Sequence, residues 1–253
     1  MAVLQGRHAL VTGGGRGIGR AIAAALSAAG ATVTVVGRTE KSLQEVTAAG
    51  EASGWIVGDV TEPEAMIDNL RMIETVKGPV DILVANAGGA DSAPFSETEP
   101  AQFRRMFELN VMGVVSTTQA VLNGMIERKF GRVIAVASTA GVRGYGYVSA
   151  YCSAKHAVVG LVRSLAIETA KTGVTVNAVC PGYTDTEMMR ESVTRIVEKT
   201  GRTPDEAEAA ILKNNPLGRF IKPQEVAAAV LYLCSPAAAS VTGTTLVVAG
   251  GEV

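Results

Sequence analysis

A chain of 253 residues is long enough for one large α/β domain with a sizeable core and too long for a minimal binding module. Charged residues make up 19%, the hydrophobic class 47%, and the formal net charge is −1, a balance that describes a compact soluble protein and excludes nucleic acid as an expected partner. The uncharged stretch at residues 21–37 is Ala- and Gly-rich and shorter than the ~20 apolar residues of a membrane span, and the N-terminus lacks a secretory pattern, so no membrane association and a cytoplasmic location are expected.

Short β-rich runs at 8–12, 32–36, 55–57, 82–85, 133–137, 174–179 and 245–248 alternate with longer segments of helical period. That rhythm is one of repeated βαβ units. Continuous apolar runs such as ILVA and VIAVA predict strands buried on both faces, as in a parallel sheet covered by helices on each side. The expected fold is α/β, a single domain over 1–253 built as a doubly wound (Rossmann) sheet of about seven parallel strands. Its ligand site belongs at the carboxyl ends of the strands, near the point where strand order reverses.

The first strand runs into TGGGRGIGRAIAAAL, where Thr12, Gly13, Gly17 and Gly19 precede a helix. Glycine permits a tight turn and lets backbone N–H groups approach a pyrophosphate, while the helix N-terminus supplies partial positive charge. The spacing departs from G-x-G-x-x-G, and it is the strand before and the helix after that raise this loop above an ordinary tight turn. NAD-binding folds place a carboxylate at the end of the second strand to bond the ribose hydroxyls. Here Gly37 stands there, followed by Arg38. Without that carboxylate a 2′-phosphate meets no repulsion, and Arg38 helped by Arg16 could grip it. NADP(H) is therefore the expected cofactor, with NAD(H) possible if Glu40 reaches the ribose instead.

Tyr151 and Lys155 sit four apart in an apolar-periodic run, so both should project from one helix face. A fixed ammonium beside a phenol is expected to lower the tyrosine pKa, giving a proton donor and acceptor usable near neutral pH. Between Tyr183 and Lys222 the composition turns charge-rich, and Thr203, Pro204 and Glu206 form a capping box. Two short helices are expected in 183–222, placed to cover the cleft as a substrate lid. Cys152, Cys180 and Cys234 are widely spaced and odd in number, which suits buried packing residues. With only His8 and His156 and no second ligand at suitable spacing, no metal site is expected.

Asp59 after the third strand, NAG (Asn86, Ala87, Gly88) after the fourth, Asn110 in ELNVMG, Ser138 after the fifth, then Tyr151, Lys155 and PG (Pro181, Gly182) follow the glycine loop in order. Together they closely resemble the short-chain dehydrogenase/reductase family over essentially the whole chain. One departure is Ala85, where the family usually has a first asparagine before Asn86. The resemblance implies that Ser138 bonds a substrate carbonyl oxygen, that Tyr151 donates its proton as hydride leaves the nicotinamide, that Lys155 tunes Tyr151 and binds the nicotinamide ribose, and that Asn110 holds a relay water. It implies cofactor contacts from Thr12, Gly13, Arg16, Gly17, Ile18, Gly19, Arg38, Asp59, Val60, Asn86, Ala87, Gly88, Pro181, Gly182 and Thr184, with Thr186 orienting the carboxamide.

Substrate-facing residues are expected from 90–95, 142–147 and 183–195, with Tyr145, Tyr147, Met188 and Met189 as an apolar lining and Arg143 or Arg190 for an anionic group. Within the family, NAVCPG and the C-terminal VTG…VVAGG look most like members that reduce 3-oxoacyl thioesters or polyketides. A simple ketone, sugar or polyol dehydrogenase, or a non-catalytic NADP(H)-binding protein, is the alternative. The family also implies a homotetramer pairing 103–128 and 150–171 plus the last strand, with Ala150, Ala154, Ala157 and Gly160 allowing close approach.

Overall fold

A computed structural model of the chain describes residues 3–213 and 215–253. Seven parallel strands form one sheet: β1 (His8–Thr12), β2 (Thr32–Gly37), β3 (Gly54–Val57), β4 (Ile82–Ala85), β5 (Gly131–Val136), β6 (Val174–Pro181) and β7 (Thr245–Val248). The spatial order is β3-β2-β1-β4-β5-β6-β7, so the chain winds outward twice from a reversal between β1 and β4. At that reversal the carboxyl ends of two neighbouring strands diverge and leave a crevice.

Period-2 alternation in the strands divides the core into two layers. Val11, Val33 and Val35 face one side, where they meet Ile22 and Leu26 of α1 (Gly17–Ala28) and Val226 and Val230 of α9 (Pro223–Cys234). Leu10, Val36 and Leu83 face the other, against α3 (Pro63–Lys77), α5 (Gly113–Glu127) and α6 (Ser149–Thr169). β1, β4, β5 and β6 are buried at every residue, as their apolar runs predict, whereas the edge strands β3 and β7 are half-exposed. Each fully buried Leu or Ile in these layers stabilises the fold by roughly 1.5–3 kcal/mol.

Two elements differ from expectation. β6 continues to Pro181, because β7 pairs Cys180 with Val247 and Pro181 with Val248. The long helix expected over 103–128 is broken into α4 (Pro100–Phe107), a wide π-turn (Glu108–Met112) and α5. Asn110 lies in the π-turn, and its Nδ2 donates to the Met106 carbonyl at 3.0 Å, taking the i−4 acceptor that helix backbone normally uses.

Residues 183–222 carry α7 (Glu187–Thr200) and α8 (Pro204–Leu212). The Thr203–Glu206 capping box is formed. The segment leaves and rejoins the body through one clasp, in which Ile221 N donates to the Tyr183 carbonyl at 2.8 Å and Asp185 N to the Ile221 carbonyl at 2.9 Å. Among the described residues no helix is long and apolar enough to cross a membrane.

Candidate active site

The glycine loop is fastened across the β1–β4 reversal. Thr12 Oγ1 accepts from the backbone N–H groups of Asn86 and Ala87, both at 3.0 Å, and Asn86 Nδ2 donates back to the Thr12 carbonyl at 3.0 Å. Gly13 has a φ of 65°, and a Cβ there would lie 2.9 Å from Asn86 Nδ2, so both conformation and space require glycine. α1 begins without a side chain accepting from its first amides and without an acidic residue in its first turn. Those amides and the helix dipole are therefore free to receive an anion.

From this loop a cleft of about 720 Å³ runs along the carboxyl edge of the sheet. Gly13, Arg16, Gly17, Ile18, Gly19, Arg38, Asp59, Val60, Asn86, Ala87 and Gly88 line it, as do Asn110, Tyr151, Lys155 and Thr186. Thr12, Ser138, Pro181, Gly182 and Thr184 do not line it; Thr184 is buried and its hydroxyl donates to the Gly182 carbonyl at 2.9 Å. The two arginines expected to receive a phosphate each face a carboxylate. Arg38 lies 3.7 Å from Asp59, and Arg16 lies 3.3 Å from Glu187 at the start of α7. Glu187 was not among the residues the sequence singled out; it has no motif, and only the docking of α7 over the loop brings it there.

At the inner end of the cleft α6 presents Tyr151 and Lys155. Lys155 is 4% exposed, and its Nζ donates to the Val136 carbonyl at 3.0 Å while lying 5.7 Å from the centroid of the Tyr151 ring. Burial pushes the lysine pKa down to about 8. Burial also raises the Tyr151 pKa, and a hydrogen bond with the Ser138 side chain opposes that rise. This corrects the expectation that Lys155 lowers the tyrosine: the apolar surroundings disfavour both charged forms, and the ammonium is spent on a carbonyl. Tyr151 is thus held as the protonated phenol, the form that can donate.

Ser138 is fixed by its position. It caps a short 3₁₀ turn (Thr139–Gly141), its Oγ accepting from Ala140 N at 3.1 Å. Asn110 is fully buried; its Oδ1 accepts from Gly89 N at 3.2 Å and its Nδ2 donates to the Gly89 carbonyl at 3.0 Å. Gly88 lies between it and the lysine, since a Cβ there would stand 2.7 Å from Asn110 Oδ1 and 3.5 Å from Lys155 Nζ.

The expected apolar lining is realised only in part. Met188 and Arg190 reach the cleft from α7. Tyr147 is exposed, with a φ of 68°. Tyr145 is instead tied down by its hydroxyl, which bonds Thr139 Oγ1 at 2.8 Å and donates to Glu252 Oε1 at 2.6 Å. Its pKa is pushed up by burial and then by the Glu252 carboxylate. Of the small residues expected at a subunit contact, Ala150 and Ala154 face inward onto Met106, so that part of the expectation fails.

A family model for short chain dehydrogenase matches residues 7–196, from β1 through the glycine loop, Tyr151 and Lys155 into α7. The chain belongs to the short-chain dehydrogenase family. An acetoacetyl-CoA reductase of Rhizobium meliloti is 38% identical to this short-chain dehydrogenase over 250 residues, covering 97% of this chain and 98% of the relative. The 3-oxoacyl-(acyl-carrier-protein) reductase FabG of Escherichia coli is 37% identical over 248 residues, covering 98% of this chain and 97% of the relative. The crystal structure of an actinorhodin polyketide ketoreductase with NADPH matches with a TM-score of 0.92 at 38% identity, over 97% of each chain.

Proposed function

We propose that this short-chain dehydrogenase is an NADP(H)-dependent reductase of apolar carbonyl substrates, most readily 3-oxoacyl thioesters, acting reversibly on the corresponding secondary alcohols. The observation that carries the reading is that Tyr151 and Lys155 meet at the inner end of the cleft that starts at the glycine loop, with the Ser138 side chain hydrogen-bonded to Tyr151 from behind the cleft wall. The relatives named above, which reduce 3-oxoacyl or polyketide carbonyls, support the substrate class.

The residues fit a dinucleotide phosphate. The uncapped α1 N-terminus takes the pyrophosphate, and Arg38 and Arg16, 71% and 60% exposed in their side chains, are free to turn from their carboxylates to a 2′-phosphate. Asp59 and Val60 border the adenine end, Asn86, Ala87 and Gly88 the middle, and Thr186 the nicotinamide end, where Pro181, Gly182 and Thr184 support the turn from behind the cleft lining. The bound cofactor supplies or accepts the hydride.

Ser138 Oγ donates to the substrate carbonyl oxygen and holds it against Tyr151. The Tyr151 hydroxyl then gives its proton to that oxygen as negative charge develops there, and in the reverse direction takes it back. Lys155, when charged, stabilises the tyrosinate that this leaves. Asn110, through the lone pair left on Oδ1 beside Lys155, accepts a water that returns a proton to the lysine. Residues 183–222 act as the lid, with Met188 and Arg190 of α7 meeting the substrate.

We further propose a cytoplasmic homotetramer, paired through α4–α5 and the outer face of α6, where Gly160 is open and Ile167 is 80% exposed. The test of the main reading is kcat/KM with NADPH and with NADH on a 3-oxoacyl thioester. A preference for NADPH of about tenfold or more supports it, and one of that size for NADH rejects it.

A further inference from the structure

The end of the chain folds back against the loop that follows Ser138 and the Gly182–Tyr183 turn that leads into α7. Glu252 is 7% exposed and accepts from the Tyr145 hydroxyl. Arg143 holds the same residue by its main chain, Nη1 donating to the Glu252 carbonyl at 2.7 Å, while the guanidinium lies 5.0 Å from the Tyr145 ring centroid. Thr139, adjacent to Ser138, takes the other bond to the Tyr145 hydroxyl.

On the opposite side Gly182 leaves the room the carboxylate needs, because a Cβ there would lie 2.9 Å from Glu252 Oε2. Tyr183 then sets its ring edge-on to Tyr145, with centroids 6.1 Å apart. One carboxylate thus joins the loop after Ser138 to the Gly182–Tyr183 turn from which the lid departs. Glu252 Oε2 is also buried without a hydrogen-bond partner among the described residues. Leaving a buried acceptor unsatisfied is costly, and an aliphatic side chain would fill the same space without that penalty.

We propose that Glu252 is a positioning residue for the substrate end of the site, acting through Tyr145. By fixing the phenol it sets the wall formed by Arg143, Tyr145 and Tyr183, and so how tightly the non-reacting part of a carbonyl substrate is held. The inference rests on the reductase reading above. A wall ordered before substrate arrives spares the entropy of ordering it on binding. That contribution is shared by the ground state and the transition state, so its loss appears in KM and not in kcat.

The test is steady-state kinetics with NADPH and acetoacetyl-CoA on the unchanged protein, Glu252→Ala, Glu252→Gln, Tyr145→Phe and the double variant Glu252→Ala with Tyr145→Phe. Glu252→Ala and Tyr145→Phe each raise KM by about tenfold, with kcat and NADPH affinity within about threefold. The double variant is no worse than either single one, since both remove one contact. Glu252→Gln keeps an oxygen that accepts from Tyr145, and its KM stays within about threefold of the unchanged protein. Unchanged KM in Glu252→Ala, additive effects in the double variant, or a joint fall of kcat and NADPH affinity would overturn the inference. If Glu252→Ala does not fold, Tyr145→Phe decides, and an unaltered KM there rejects it. An inert unchanged protein overturns the reductase reading together with this inference, whereas an active one whose variants keep their KM overturns this inference alone.

Discussion

Lys155 stands one helical turn from Tyr151, yet its ammonium is bonded to the Val136 carbonyl at 3.0 Å and lies 5.7 Å from the centroid of the tyrosine ring. Burial drives both shifts, so near neutral pH the phenol is protonated while the lysine, lowered to about 8, still keeps most of its charge. For a reductase this supplies a protonated phenol at the pH where it must act, at the cost of a lysine that gives up its charge easily.

Lys155 should therefore titrate near 8 in the ligand-free protein, below its ordinary 10.5. Its folded pKa is the lower one, so the unfolded chain binds this proton more tightly, and the lysine's contribution to stability falls as pH drops from 10.5 towards about 8. Carbon-13 magnetic resonance of labelled lysine side chains reads the titration directly. One resonance should move near pH 8 and disappear in Lys155→Met; a full set titrating at about 10.4 would contradict the burial argument.

His8 should confer acid sensitivity from the opposite end of the sheet. It is 3% exposed, bonded to the Gly78 carbonyl at 2.8 Å and to Thr34 Oγ1 at 3.0 Å, and burial lowers its pKa below 6.5. The unfolded chain then takes up a proton that the folded chain refuses. Its contribution is whole above pH 6.5 and declines as pH falls below that value. Denaturant unfolding between neutral pH and about pH 5 should show a steeper loss for the unchanged protein than for His8→Gln, and equal slopes would refute the assignment.

Arg38→Ser tests the origin of cofactor preference. Removing the guanidinium beside Asp59 should weaken NADPH binding by about tenfold or more and leave NADH within about threefold. Isothermal titration with both nucleotides measures the pair, and an equal loss for both would assign Arg38 a merely structural part.

Thr12→Ala removes the acceptor shared by the Asn86 and Ala87 amides at the β1–β4 reversal. A loss of about 1–3 kcal/mol in unfolding free energy is expected, with weaker NADPH binding because the glycine loop loses its anchor. Unaltered stability in a thermal scan would show that water replaces the hydroxyl there.

How far the sequence foretold this structure depends on the range of the interaction involved. β4 and β5 were legible because ILVA and VIAVA are buried on both faces, and the Thr203–Glu206 box because its partners are three residues apart. The glycine loop, Tyr151 and Lys155 were legible for the same local reason. The π-turn at Asn110 was not, since its neighbours keep a helical apolar period and the break comes from a side chain capturing the Met106 carbonyl. The tyrosine's raised pKa was not, because spacing brings Lys155 to the same face without saying which acceptor its ammonium takes. Glu187 and Glu252 were invisible, for each meets its partner more than a hundred residues away, Arg16 and Tyr145 respectively.

The most direct measurement of the central claim is single-turnover and steady-state reduction of a 3-oxoacyl thioester by Tyr151→Phe at saturating NADPH, alongside its NADPH dissociation constant. Phenylalanine keeps the ring and removes only the proton donor. The account predicts that turnover falls by at least about a thousandfold while NADPH affinity stays within about threefold. Turnover close to that of the unchanged protein would contradict it.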